Sequence, residues 1–73
     1  MTLYDLKVGQ TGVISRVHGD EKLAKRLLAL GCIRHTEIKV KLKAPLGDPI
    51  LINFRGSDLA IRRKDAKNIL LLG

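Results

Sequence analysis

Aromatic residues are nearly missing from this chain of 73 residues: there is no tryptophan, and Tyr4 and Phe54 are the only tyrosine and phenylalanine. Proteins that hold single-stranded nucleic acid stack bases on several exposed rings, and Phe54 falls on the inward phase of its expected strand. Specific nucleic-acid binding is therefore not expected. Cysteine occurs once, at Cys32, so no intramolecular disulfide can form, as suits a reducing cytosol. The longest apolar runs fall far short of the roughly 20 residues that cross a bilayer. The segment from Met1 to Lys7 has an early acid and no apolar signal-peptide core, so a soluble cytoplasmic protein is expected. Acids are scarce: 7 Asp and Glu face 14 Lys and Arg, a formal charge of +7, which favours anionic partners such as nucleic acid or the inner face of a membrane. Catalytic signatures are also lacking. No Gly-x-x-x-x-Gly-Lys phosphate cradle is present, and neither Ser15 nor Ser57 sits in a Gly-x-Ser-x-Gly elbow. No enzyme is expected. Arg34 and Arg55 are the candidates for an arginine finger acting on a partner, a role for which solvated surface arginine is the common alternative.

What the chain does have is a two-proline cassette, Ala44-Pro45-Leu46-Gly47-Asp48-Pro49, between two stretches of alternating pattern. Ile38, Val40 and Leu42 alternate with Lys39, Lys41 and Lys43; Ile50, Ile52 and Phe54 alternate with Leu51, Asn53 and Arg55. A two-residue period marks half-buried strands, and proline with glycine between them makes a stiff hairpin loop. Upstream, Leu3, Leu6 and Val8 form an entry segment that covers one end of the core. A strand over 11–18 follows, in which Val13, Ser15 and Val17 share one face. Asp20 is read as the N-cap of a helix over 21–30 that stops at Gly31. Gly56-Ser57-Asp58 gives the next turn, 59–62 a short strand, 63–68 a helical turn and 69–72 a last strand. At this length only about 60% of the unfolded surface is buried, so one domain over 1–73 with one small core is expected. The fold class is mainly β with one α-helix, a small SH3-like β-barrel of about five strands.

Partner-binding candidates come from the helix, the loop and one strand. Leu23, Leu27 and Leu30 make one apolar stripe, and Ala24 and Leu28 make a second beside it. Either both stripes pack in the core or one of them faces a partner, and for the second case Leu27 and Leu28 are the candidates. Leu46 sits at the hairpin tip. Lys39, Lys41 and Lys43 read as a basic row on the outward strand face, which also discourages edge-to-edge aggregation. For metals, His18, Asp20 and Glu21 form one group of suitable ligand types, and Cys32, His35 and Glu37 another. Neither has the spacing of a closed site, so no intrinsic metal or cofactor is expected.

The ordered motifs resemble the ferrous iron transport protein A family, FeoA, over nearly the whole chain. The resemblance rests on Gly12-Val13-Ile14, on Arg26-Leu27-Leu28-Ala29-Leu30-Gly31, on Ala44-Pro45-Leu46-Gly47-Asp48-Pro49-Ile50, and on Leu59-Ala60-Ile61-Arg62 with Asp65-Ala66 and Ile69. It implies a cytosolic accessory protein for ferrous iron uptake that binds FeoB, a membrane Fe(II) transporter with a cytosolic nucleotide-binding domain. Contact with the membrane comes through that partner only. Arg34-His35 stands where the family usually has Pro-Gly; His35 can keep the left-handed backbone that glycine would adopt, at some cost, so the turn type at this point stays open. The alternative reading is a small basic nucleic-acid-binding β-barrel.

Overall fold

The computed structural model describes residues 1–19 and 21–72; the expected N-cap at Asp20 lies outside them. Five strands, β1 (Thr11–Val17), β2 (Glu37–Lys43), β3 (Ile50–Phe54), β4 (Ser57–Ile61) and β5 (Ile69–Leu71), form one antiparallel sheet in the order β4-β3-β2-β1-β5. The main helix, α1 (Glu21–Ala29), connects β1 to β2, and a short helix, α2 (Arg63–Ala66), connects β4 to β5. The sheet is not joined into a ring: β4 and β5 are its two ends. Instead the chain start lies along β5, where Thr2 bridges Leu70 and the Leu71 amide donates to the Met1 carbonyl at 2.9 Å.

One core holds these elements together. Ile14, Ile38, Val40, Ile50, Ile52, Phe54, Ile61, Ile69 and Leu71 project into it from the sheet, and Leu3, Leu6, Leu23, Leu27, Cys32 and Ala66 close it from outside. Val8, expected in this set, is exposed.

Two bulges correct the strict alternation expected from the sequence. In β1, the register skips Ser15 between Ile14 and Arg16, so Ile14 opposes Leu71 and Val17 opposes Ile69. Both partners are buried, which puts Ile14 and Val17 on one face, not on opposite faces. In β2, Val40 opposes Ile52 but Leu42 opposes Leu51, leaving Lys41 as the extra residue. Beyond it the phase inverts. Leu42 turns outward at 57% exposure, and Lys43 moves opposite the buried Ile50.

The turn from β3 to β4 also falls earlier than expected. Phe54 pairs with Ser57, leaving Arg55 and Gly56 as the whole loop, with φ of 50° and 80°. Positive φ at both positions is what a type I′ hairpin turn requires, because its twist matches that of the strands. At the end of α1, Gly31 at φ 82° lets the Cys32 amide reach the Leu27 carbonyl at 2.9 Å and the Gly31 amide reach that of Leu28 at 3.1 Å. These two bonds satisfy the last carbonyls and fold Cys32 back into the core beside Leu27. His35 has φ 71°, which settles the turn geometry left open by the sequence as left-handed, and its amide donates to the Ile14 carbonyl at 2.7 Å.

Candidate functional site

Helix α1 is the element from which candidate surfaces can be built outward. At about 100° per residue, Leu23 and Leu27 point at the sheet and are buried, while Ala24 and Leu28 lie on one flank and Lys22 and Arg26 on the other. The two adjacent leucines separate sharply: Leu27 is 1% exposed and Leu28 65%. Leu27 is therefore core and unavailable to a partner, because the stripe it shares with Leu23 is the one that faces the sheet. Leu28 is the candidate that remains on the helix.

On the Leu28 flank an open groove of about 290 Å³ runs between α1, β1 and the segment after Gly31. Ile14, Val17, Ala24, Leu28, Cys32 and Ile33 give it an aliphatic lining, and Arg16 and Arg34 stand at it as exposed cations. Cys32 is a free thiol buried here, and burial pushes its ionisation above the ordinary thiol value, against a smaller opposing pull from Arg55. It lines the groove as a small apolar group, not as a thiolate. Ile33 and Val17 were not among the candidates from sequence, whereas Ala24 lies in the stripe it shares with Leu28. Ile33 follows the helix stop with no periodicity to assign it a face, and the placement of Val17 depends on the Ser15 bulge.

The second surface feature is the loop between β2 and β3. The Ala44 amide bonds the Pro49 carbonyl at 3.0 Å and the Gly47 amide the Ala44 carbonyl at 2.8 Å. The start of α2 braces it from behind: the Arg63 amide donates to Asp48 Oδ1 at 3.1 Å, and Arg63 Nη1 to the Leu46 carbonyl at 3.4 Å. Leu46 is 88% exposed and has φ 67°. A bulky side chain in the left-handed region stores strain of order 1–3 kcal/mol, and the bonds around it hold it there.

The lysines of β2 do not form the expected row, because the bulge at Lys41 divides them. Lys39 is exposed. Lys41 pairs with Asp58 at 3.1 Å, and Asp58 also accepts from Asn53 Nδ2 at 2.7 Å. These bonds hold the Asp58 carboxyl below its ordinary value, the Asn53 amide contributing most and Lys41 next. Lys43 donates to the Tyr4 carbonyl at 3.1 Å and lies 5.3 Å from the centre of the Tyr4 ring; Lys67 lies 5.0 Å from that ring. Lys41 is thus paired on the exposed outer face of the sheet, and Lys43 is engaged by Tyr4 in a half-buried position.

Among the described residues no group of three or more His, Cys, Asp or Glu side chains could hold a metal ion. No described helix is long and apolar enough to cross a membrane.

Comparison with known proteins bears on the family and the fold. The family model of the FeoA domain matches residues 1–71. The Fe(2+) transport protein A/Fe(2+) transporter FeoB fusion protein of Porphyromonas gingivalis is 36% identical over 69 residues, which are 94% of this chain and 8% of the fusion protein. The chain thus spans only a small part of that relative. The solution structure of a FeoA protein from Chlorobium tepidum superposes with a TM-score of 0.91 at 38% identity, covering 97% of this chain and 68% of that one. The crystal structure of Stenotrophomonas maltophilia FeoA complexed with zinc, described as an SH3 domain protein, gives a TM-score of 0.83 at 29% identity, covering 99% of this chain and 89% of that one.

Proposed function

Since the chain belongs to the FeoA family, whose members are associated with ferrous iron transport, we propose that it is a non-enzymatic accessory protein that docks on a FeoB-like membrane Fe(II) transporter from the cytosol and modulates iron uptake. The observation that carries this reading is the open aliphatic groove beside Leu28. Its occupant is a segment of the transporter: an apolar stretch seats against Leu28, Ile33 and Ala24, and carboxylates beside it meet Arg16 and Arg34. The fusion of a related domain to a FeoB transporter in one chain supports the identity of the partner, since linkage converts a modest affinity into near-permanent association. Leu46 is a second contact point, presented to solvent on a braced loop. Aliphatic burial supplies most of the affinity and the arginines the orientation.

A nucleic-acid-binding barrel draws no support from the rings. Phe54 is buried, and Lys43 and Lys67 both lie near Tyr4, so no free stacking platform is present among the described residues.

The test is binding of the chain to the cytosolic and the membrane parts of a FeoB-like transporter as separate baits, with Leu28→Asp and Ile33→Asp alongside. Both variants should keep a cooperative thermal transition, and each should weaken binding to one of the baits by about tenfold or more, the scale of a lost central apolar contact. Unchanged binding by both variants sinks the groove as the docking site, and no binding to either bait by the unaltered chain sinks the proposed partner.

A further inference from the structure

We propose that the cleft on the opposite flank of α1 binds the phosphate group of an anionic ligand. The cleft measures about 240 Å³ and is lined by Lys22, Leu23 and Arg26 from α1 and by Arg62, Lys64 and Asp65 around the start of α2. Four cations against one carboxylate leave a strong positive excess at one spot. The proposal does not rest on transporter docking, which uses the other flank.

Three features distinguish this cleft from an ordinary basic surface. First, its cations come from two separate elements. Lys22 and Arg26 share a flank because they are four residues apart on a helix, and the fold brings Arg62 and Lys64 to face them from some 40 positions away in the sequence. Second, none of the four makes an ion pair among the described residues; the salt bridge found there joins Lys41 to Asp58 on the outer face of the sheet. Asp48, whose carboxylate oxygen accepts from the backbone amide of Arg63, is committed to holding the loop. Third, the cleft backs onto Leu23 and the core, and a low-dielectric wall focuses the field of like charges instead of letting water disperse it.

Assembling four cations around one small space costs repulsion that the free protein does not relieve. A ligand that relieves it must concentrate negative charge in little volume. A phosphate monoester or diphosphate does so, with about two charges per terminal phosphate at neutral pH and oxygens that a guanidinium engages in pairs. An acidic peptide spreads its carboxylates over several residues and fits a cleft of this size less well. The phosphate can belong to a soluble compound or to a lipid headgroup.

The experiment is a two-dimensional amide NMR titration of the full chain with pyrophosphate at about 0.15 M salt, where diffuse attraction is screened beyond about 8 Å. Amide shifts should saturate and concentrate at 21–27 and 61–66. The exposed pair Arg26→Gln with Arg62→Gln should keep its thermal midpoint and weaken binding by about tenfold or more, the loss of two charge-assisted contacts. Lys22→Gln with Lys64→Gln should act in the same direction, and Lys39→Gln should change nothing. In parallel, sedimentation with phosphatidylcholine vesicles with and without phosphatidic acid separates the two sources. Cosedimentation that needs phosphatidic acid and is lost in the Arg26/Arg62 pair assigns the phosphate to a lipid. Pyrophosphate binding without cosedimentation assigns it to a soluble compound. The proposal is overturned if neither probe binds, if both variant pairs bind as the unaltered chain does, or if shifts scatter equally over every basic face. A poly-glutamate peptide that saturates the cleft while both phosphate probes leave it unmoved also overturns it.

Discussion

The helix side of this molecule and its hairpin side both carry lysine and arginine, but they use them differently. On the hairpin side, Lys41 is held by Asp58 and Lys43 by the Tyr4 carbonyl and ring. On the helix side, Lys22, Arg26, Arg62 and Lys64 face one cleft without an ion pair among the described residues, and the leucine on the other flank, Leu28, lies open. A basic count therefore says little about where a basic chain meets its partners. What matters is whether each cation already has an internal acceptor, and by that measure Lys41 and Lys43 are engaged, while α1 with its two flanks is where ligands would find unmet groups.

The largest test of this contrast lies within α1 itself, between its two adjacent leucines. Leu27→Ala removes a side chain from the closed core and should cost about 2–5 kcal/mol, the range for truncating a buried leucine, a large share of the stability of so small a domain. Leu28→Ala should change stability by less than about 0.5 kcal/mol, as exposed substitutions do. Urea denaturation of the two variants checks both numbers. A cost for Leu28→Ala close to that for Leu27→Ala would mean that the groove is packed shut in solution.

Much of the fold was legible because its signals are local. The alternation through Ile38, Val40, Ile50, Ile52 and Phe54, the leucine stripe of α1 and the stop at Gly31 each depend on a few neighbouring residues. The site was less legible because it turns on single-residue events and on distant elements. An extra residue at Lys41 inverts the phase of a strand whose sequence alternates without a break, so Leu42 turns outward and Lys43 turns toward Tyr4. Periodicity also gave both stripes of α1 equal claim to the core, and only the docking of the helix on the sheet decides between Leu27 and Leu28. Nothing in one dimension brings Arg62 to the Arg26 flank.

A smaller effect separates the two kinds of cation. Lys43→Ala loses a hydrogen bond to a backbone carbonyl and a contact with the Tyr4 ring, and should lower stability by about 1 kcal/mol. Arg26→Gln removes one of several mutually repelling charges and should leave stability unchanged or raise it by a few tenths of a kcal/mol. Raising the salt concentration should narrow the gap between the two variants, since screening acts on the repulsion at Arg26 more than on the half-buried Lys43. If Arg26→Gln destabilises as much as Lys43→Ala, Arg26 is already engaged within the fold and the contrast between the two sides fails.

The smallest effect is a pH dependence on the hairpin side. The Asp58 carboxyl is held below its ordinary value, first by the Asn53 amide and then by Lys41, and the Asp5 carboxyl is held low chiefly by the Thr2 backbone N–H. A carboxyl with a depressed value in the folded state adds stability above its unfolded value, about 3.9 for aspartate, and that contribution is lost as pH falls through the folded value. The melting temperature should therefore be flat on this account from neutral pH to about pH 5 and decline below about pH 4, by a small amount because both carboxyls are solvent-exposed. Carboxyl-carbon NMR of Asp58 separates the causes. Asn53→Ala should move its titration midpoint up toward the ordinary value, and Lys41→Gln should move it by less, since the amide bond at 2.7 Å is the shorter and stronger contact. A larger shift from Lys41→Gln would make the ion pair the main hold on Asp58, and Lys41 would then be still more firmly committed to the fold.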